Sequence, residues 1–174
     1  MLRSADPRRG RGFTLAELVI ALAILAIIAT LALPSFQTMI ENQRLRAAAE
    51  SVLNGLQLAR AEAIRRNTRV RLVMNGATPG WTVELDDGTD IQVRPAGETG
   101  SGLTVALTPD GATTATFNAF GRLVGNADAS ASITQIDLSI AGNARPLRVQ
   151  LNAAGLIRMC ENSTYLPEGD PRRC

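Results

Sequence analysis

One stretch constrains this chain more than any other: an apolar run from Phe13 to Leu33 in which Glu17 is the only charged residue. A helix needs about 20 apolar residues to cross a bilayer, so the run is long enough to do so. A carboxylate within such a span costs about 3 kcal/mol on insertion scales, so we expect Glu17 to have a functional role and a cationic partner. A cut after Gly12 would create that partner, because the new α-amine of Phe13 would lie at a similar depth.

The segment before the apolar run, residues 1–12, is polar and basic. It contains four Arg and one Asp, a net charge of +3. Cations ahead of an apolar span predict that the N-terminus stays in the cytoplasm and that the bulk of the chain lies outside it. No small-x-small cleavage site follows Leu33 promptly, so we expect the apolar segment to be retained. An unprocessed signal anchor is the alternative, but such an anchor has no need of Glu17.

The composition excludes several kinds of site. The chain has no His, which rules out His-based triads, His general bases and His metal ligands. The whole chain has a net charge of +2, and residues 1–12 account for +3 of it, so the remainder carries about −1. Global charge therefore does not argue for a nucleic-acid partner.

Residues 13–66 are predicted to form one long helix. Beyond the apolar run, small and apolar residues recur at three- and four-residue steps, at Leu45, Ala49, Val52, Leu56, Ala59 and Ala63. We expect this stripe to pack on the sheet that follows. A coiled-coil partner helix is the alternative, but the spacing does not keep strict heptads. Gly55 is expected to weaken the helix by about 1 kcal/mol relative to Ala.

From Thr68 onward the pattern is that of short strands and turns. Alternation predicts strands at residues 68–74, 81–85, 90–94, 103–107, 132–140, 147–151 and 156–160. Hairpin turns are predicted at Asp86–Thr89 and Asn152–Gly155, and the stretch Phe117–Leu123 resembles the second of these. A long amphipathic helix on an antiparallel β domain gives an α+β fold.

The run Arg11-Gly12-Phe13-Thr14-Leu15-Ala16-Glu17-Leu18, followed by apolar residues, resembles the class III leader junction of type IV pilins and type II secretion pseudopilins. Later motifs narrow the resemblance to the GspH/FimT/FimU group of minor pilins and minor pseudopilins. They are the helix segments Arg46–Glu50 and Leu56–Asn67, the Phe117-Asn118-x-x-Gly121-Arg122 hairpin and the late Cys pair.

This resemblance implies a pilin-like fold, with a long N-terminal helix packed on an antiparallel sheet. It implies cleavage after Gly12 by prepilin peptidase, N-methylation of Phe13, and pairing of Glu17 with the N-terminal amine of a neighbouring subunit. The expected domains are a leader (1–12), a helix (13–66) with a transmembrane part (13–33), and a periplasmic head (67–174) with a Cys loop (160–174). The chain would cross the bacterial inner membrane once before joining a filament, with other pilins or pseudopilins, prepilin peptidase and lipid as partners.

Three further features are candidate sites: the Cys pair, an aspartate-rich run and a set of C-terminal cations. Cys160 and Cys174 can form a disulfide in a translocated domain, whereas a reactive free thiol would have no His to support it. The run Asp86–Asp90 lacks the ligand spacing of an EF-hand loop and is interpreted as a turn rather than a calcium site. Neither feature predicts a metal or a cofactor.

The third feature is a set of C-terminal cations. Some FimT-like proteins resemble DNA receptors with a Gly-Arg-x-Arg motif on the last hairpin. Here Arg158 fits the final Arg, but Leu156 stands in place of the first. Arg172 and Arg173 are candidates for further DNA contacts, since clustered cations bind phosphates. Glu161, Glu168 and Asp170 dilute that charge.

The sequence therefore predicts a non-catalytic minor pilin that primes or joins a type IV pilus. A minor pseudopilin of a type II secretion system and a DNA-binding pilin for natural transformation are the alternatives. A membrane-bound enzyme is a further class, disfavoured because no nucleophile, base or metal constellation is recognisable.

Overall fold

The computed structural model describes residues 13–99, 102–142, 144–162 and 166–174. The chain divides into two compact units, Met1–Gln37 and Thr38–Cys174. Helix α1 spans Leu15–Arg66, close to the predicted 13–66. Within these described ranges, nine strands follow it: Val70–Met74 (β1), Trp81–Leu85 (β2), Asp90–Arg94 (β3), Leu103–Thr108 (β4), Thr114–Phe117 (β5), Leu123–Val124 (β6), Gln135–Ile140 (β7), Leu147–Leu151 (β8) and Ile157–Glu161 (β9). A short 3₁₀ turn spans Ala96–Thr99.

Both ends of α1 follow from local chemistry. Thr14 precedes the first helical residue and caps its amides, as described below. At the other end, Asn67 adopts a left-handed conformation with φ 51°, and the amide of Thr68 donates to the carbonyl of Ala63 at 3.2 Å. Asn tolerates this conformation and can end a helix in the way Gly does.

The strands form two antiparallel sheets. The first has the order β3-β2-β1-β5-β6, and the second has the order β4-β7-β8-β9. The predicted hairpins are present as the pairs β2–β3, β5–β6 and β8–β9. The α+β class predicted from the sequence is confirmed, although the sequence did not divide the strands between two sheets.

The division occurs at a stretch that was predicted to be strand. The expected strand 132–140 begins only at Gln135. Ile133 instead donates its amide to the carbonyl of Thr114 in the first sheet, and Thr134 donates to Thr108 in the second. Residues 133 and 134 thus link the two sheets, and Ile133 is fully buried between them.

The core lies where the apolar stripe of α1 meets the strands. All six predicted stripe residues are fully buried. The alternate β1 residues Val70 and Leu72 are also fully buried, and Met74 is nearly so. Residues from both sheets complete the same cluster, among them Phe117, Ile136 and Val149. Burying each of the larger side chains, such as Leu45, Val52 and Leu56, contributes about 1.5–3 kcal/mol, so the stripe fixes the helix on the strands.

The interpretation of Gly55 as a mere weak point was incomplete. A Cβ at Gly55 would lie 2.9 Å from Leu72 Cδ1 and from the ring of Trp81. The Trp81 indole is buried and donates its Nε1–H to Ser51 Oγ at 3.1 Å. Gly55 is therefore the position at which α1 makes room for the indole, a requirement that helix propensity does not reveal.

Candidate functional site

The first candidate site is the start of α1. The Thr14 amide and hydroxyl both donate to Glu17 Oε2, at 3.0 and 2.9 Å, and the Glu17 amide donates to Thr14 Oγ1 at 3.2 Å. This is a capping box, in which the side chains of N-cap and N3 satisfy each other's backbone amides. Among the described residues, none donates to Glu17 Oε1. The carboxylate therefore caps its own helix with one oxygen and keeps the other available.

The role of Glu17 in capping its own helix was not among the roles predicted for it from the sequence. The pattern Thr-x-x-Glu ahead of an apolar run is a recognised start signal for helices and would have revealed it. Phe13 lies just outside the helix and is highly exposed. Gly12 and the rest of the predicted leader lie outside the described residues.

The N-terminal part of α1, residues 15–30, is exposed on every side. Its large apolar side chains are all more than half exposed: Leu15, Leu18, Val19, Ile20, Leu22, Ile24, Leu25, Ile27 and Ile28. A helix that is apolar all round needs lipid or other helices to cover it.

The length and composition of α1 bear on whether the chain can cross a membrane. Within the part of the chain that the structure describes, no single helix is long and apolar enough to cross a membrane. The bent pair Leu15–Thr30 and Ser35–Arg66 meets that criterion together, by length and composition.

The second candidate site is the C-terminal loop. Cys160 on β9 and Cys174 form a disulfide with a Cα–Cα distance of 5.2 Å. The Glu161 amide donates to the carbonyl of Arg172 at 2.7 Å, and the Cys174 amide donates to Glu161 at 3.3 Å. The last residues thus pair with the end of β9. Residues 163–165 of this loop lie outside the described residues.

The three candidate DNA-contacting cations are not equivalent. Arg172 forms an ion pair with Asp170 at 2.8 Å. The hydrogen bonds from the side chain and the backbone of Arg172 lower the pKa of Asp170 to about 2, so both groups are charged and neutralise each other at pH 7. Arg158 donates to the backbone carbonyl of Arg173 at 2.8 Å and forms no ion pair with a carboxylate in the described residues.

The aspartate-rich hairpin behaves as a turn. Asp87 accepts a hydrogen bond from the amide of Thr89 at 2.9 Å, and this bond is the main reason why the pKa of Asp87 is lowered. Among the described residues, no group of His, Cys, Asp and Glu is placed to hold a metal ion.

The third candidate site is a junction that the sequence did not predict. The turns of the β5–β6 and β8–β9 hairpins meet so closely that a Cβ on Gly155 would overlap the carbonyl oxygen of Gly121. Arg60 of α1 donates its Nε–H to that same oxygen at 3.0 Å. The helix and both sheets therefore come together at these two turns. Phe120 and Leu156, one on each turn, are exposed.

Comparisons with known proteins agree with this architecture. Residues 48–155 match the family model described as "Type II transport protein GspH", and residues 7–33 match the prokaryotic N-terminal methylation motif. A comparison with curated protein sequences finds no match.

Among solved structures, the type IV minor pilin FimU of Pseudomonas aeruginosa superposes with a TM-score of 0.55 at 20% identity, covering 70% of this chain and 91% of FimU. The solution structure of E. coli GspH superposes with a TM-score of 0.50 at 17% identity, covering 72% of this chain and 94% of GspH. These similarities establish the shared fold. The GspH model matches more than half of the chain, and the protein therefore belongs to the GspH family of minor pilins and pseudopilins.

Proposed function

We propose that this protein is a non-catalytic minor pilin of the FimT/FimU kind, which primes a type IV pilus or assembles into it. The observation that carries the proposal is the N-terminal methylation motif at residues 7–33, together with the exposure, on every side, of the apolar side chains from Leu15 to Ile28 in the N-terminal part of α1. Such a helix needs other apolar surfaces to cover it, and a bundle of neighbouring subunit helices supplies them.

In this mechanism the chain begins as a membrane protein. Residues 13–33 anchor it in the inner membrane, with the N-terminus in the cytoplasm and the head, residues 67–174, in the periplasm. Prepilin peptidase cleaves after Gly12, and the exposed Phe13 is methylated on its new amine. The four Arg before Gly12 support this orientation.

Glu17 then connects subunits. Its Oε2 is engaged by Thr14 at the start of the helix, and its Oε1 accepts no hydrogen bond from the described residues. The α-amine of a neighbouring subunit would pair with Oε1 without dismantling the cap. A charge pair in an apolar setting is costly to leave incomplete, which would fix the axial position of one subunit against the next.

The head supplies contacts rather than chemistry in this proposal. The absence of His removes the commonest general base. The Cys residues are joined in a disulfide and are not nucleophiles. The folded head would instead dock on other pilin or pseudopilin subunits.

A minor pseudopilin of a type II secretion system is the second candidate. The family description, a type II transport protein, favours it specifically. Both candidates require the same leader, anchor and Glu17. They can be separated only by whether loss of the protein impairs the pilus or the secretion system.

A DNA-binding pilin for natural transformation has less support. It needs uncompensated cations at the last hairpin. Arg172 is neutralised by Asp170, which leaves Arg158 and Arg173 without an ion pair among the described residues. Affinity for DNA grows with the number of phosphates contacted, so two such Arg are a weak basis.

The deciding experiment is a clean deletion in the source bacterium, complemented with wild type, Glu17→Gln or the exposed mid-helix control Glu50→Gln. Surface pili, twitching, DNA uptake and secretion of extracellular hydrolases are scored in each strain. We expect loss of pili and twitching with normal secretion, restored by wild type and Glu50→Gln but not by Glu17→Gln.

Other outcomes assign other functions. Lost secretion with normal pili would assign the protein to the type II secretion system instead of the pilus. Loss of DNA uptake with pili intact would favour the DNA-binding pilin. A deletion that changes none of these functions would refute a role in either filament.

A further inference from the structure

Three exposed apolar side chains, one from α1 and two from the head, belong to elements that meet at one junction. Among the described residues from 38 to 174, the exposed large apolar side chains are Met39, Ile40, Ile64, Val93, Phe120 and Leu156. Ile64, Phe120 and Leu156 come from the end of α1 and from the two hairpin turns that meet there. They are 50%, 83% and 60% exposed, respectively. We refer to these three residues as the hairpin patch.

Two glycines bring the backbones of these turns and the end of α1 together. A Cβ on Gly121 would lie 2.8 Å from Ile64 Cδ1, so α1 rests directly on the β5–β6 turn. Gly155 places the β8–β9 turn against Gly121, because a Cβ on Gly155 would overlap the Gly121 carbonyl oxygen. Phe120 and Leu156 each adjoin one of these glycines in sequence.

Hydrogen bonds hold both turns in place. Asn118 Oδ1 accepts from the amides of Phe120 and Arg122, each at 3.0 Å. Asn152 Oδ1 accepts from the amide of Leu156 at 2.9 Å. The backbone that carries Phe120 and Leu156 is therefore held in one conformation, which lowers the entropy lost when a partner binds these side chains.

Cations border the patch. Arg60 bonds the Gly121 carbonyl, Arg122 follows Gly121 in the chain, and Arg158 lines the same surface groove as Leu156. Within the described residues, none of these three arginines forms an ion pair with a carboxylate. An apolar centre with a basic rim is complementary to a partner with apolar side chains bordered by carboxylates.

We infer that the hairpin patch is a docking surface for another subunit of the same filament, one that presents apolar side chains flanked by Asp or Glu. The inference rests on the proposed function and identifies which part of the head makes the contact. Phe120 is the central residue of the contact, because a highly exposed aromatic side chain gains most from burial against a partner.

The composition of the patch favours protein over nucleic acid. The side chains of Ile64 and Leu156 offer no hydrogen bond to a phosphate or a base. Aliphatic side chains gain free energy by burial against other apolar groups, at about 25 cal/mol per Å².

The test uses the full-length chain in a membrane two-hybrid assay. The probes are each of the full-length pilin and pseudopilin subunits of the source bacterium, and a second copy of the chain itself. Phe120→Asp and Leu156→Asp are compared with Val93→Asp, which introduces the same charge at a residue 51% exposed on β3. Formation of the Cys160–Cys174 disulfide and resistance to protease verify that each variant folds.

We expect wild type to pair with at least one other subunit, and both patch variants to reduce that signal by about ten-fold or more, as for residues at the centre of an interface. Val93→Asp should leave it unchanged. Arg122→Glu should weaken the pairing, and reversal of a carboxylate on the identified partner should restore it.

The inference is overturned if the folded patch variants pair as wild type does, or if wild type pairs with no subunit or only with itself. It is also overturned if the detergent-solubilised chain binds DNA and Phe120→Asp abolishes that binding. The deletion strain separates the two failures. Normal pili and secretion there refute the proposed function, whereas a clear deletion phenotype that Phe120→Asp fully complements refutes the docking surface alone.

Discussion

The junction of the two hairpins makes a quantitative prediction about Gly155→Ala. Gly155 has φ +81°, a left-handed conformation that costs an L-residue about 1–2 kcal/mol. The added methyl group would also overlap the carbonyl oxygen of Gly121. This oxygen belongs to the backbone and already accepts a hydrogen bond from Arg60, so it cannot rotate away as a side chain could.

The two costs add, because both raise the free energy of the folded state. Overpacking adds about 1–3 kcal/mol when the neighbouring structure must shift. We therefore expect Gly155→Ala to lower the free energy of unfolding by about 2–5 kcal/mol, a large part of the roughly 5–15 kcal/mol typical of a domain.

Gly88→Ala is the matched control. Gly88 has a similar φ of +87°, but a Cβ there would have no atom within 4 Å. The control thus carries only the conformational cost, about 1–2 kcal/mol. The difference between the two variants isolates the close approach of the hairpins.

The assay is urea unfolding of the full chain in mild detergent, followed by the fluorescence of Trp81. Trp81 is the only tryptophan, and it is buried against α1 in the head. If Gly155→Ala and Gly88→Ala lose the same free energy, the two turns do not meet as described, and the basis of the hairpin patch fails with them.

Three further predictions use the same assay. Ser51→Ala should cost about 1–2 kcal/mol, because it leaves the buried indole N–H of Trp81 without its acceptor. Cys174→Ser should cost about 3 kcal/mol, because it reopens a loop of about 15 residues in the unfolded-state model of disulfide stabilisation. Stability should fall as the pH drops from about 4.5 towards 2, because hydrogen bonds from two arginines lower the pKa of Glu62 to about 2. Glu62→Gln should flatten that slope and Glu50→Gln should not; equal slopes would exclude Glu62 as the cause.

The sign of the pH effect follows from the direction of the shift. Glu62 accepts hydrogen bonds from Arg65 and Arg66, and its pKa in the folded chain lies below its ordinary value of 4.5. The folded state therefore favours the ionised carboxylate. That stabilisation is complete above pH 4.5 and is lost as the pH falls towards 2.

Local periodicity was sufficient to predict the main elements. The three- and four-residue spacing of apolar residues gave the buried face of α1, and two-residue alternation gave β1 with Val70, Leu72 and Met74 inside. Hairpins were also predictable, since their turns carry Asn, Asp and Gly where positive φ is needed. Such features depend on residues close together in the chain.

Contacts between distant segments were not predictable in this way. Nothing in the spacing of residues 132–140 showed that the first three would leave the strand to link two sheets. Similarly, Gly55 was judged by helix propensity alone, although its role is to admit the ring of Trp81. In both cases a neighbour far along the chain decides what the residue does.

The sequence by itself determined the roles proposed for the N-terminal residues. Whether a helix is apolar all round, carries one carboxylate and follows a basic segment depends only on the order of residues from 1 to 33. The tertiary structure alone decided which surface of the head is exposed, apolar and basic. Phe120 and Leu156 are 36 positions apart, and two glycines bring the turns that carry them together. Turn residues and alternation set the register within each hairpin. The approach of one hairpin to the other is set by packing between segments far apart in the chain, which no local pattern specifies.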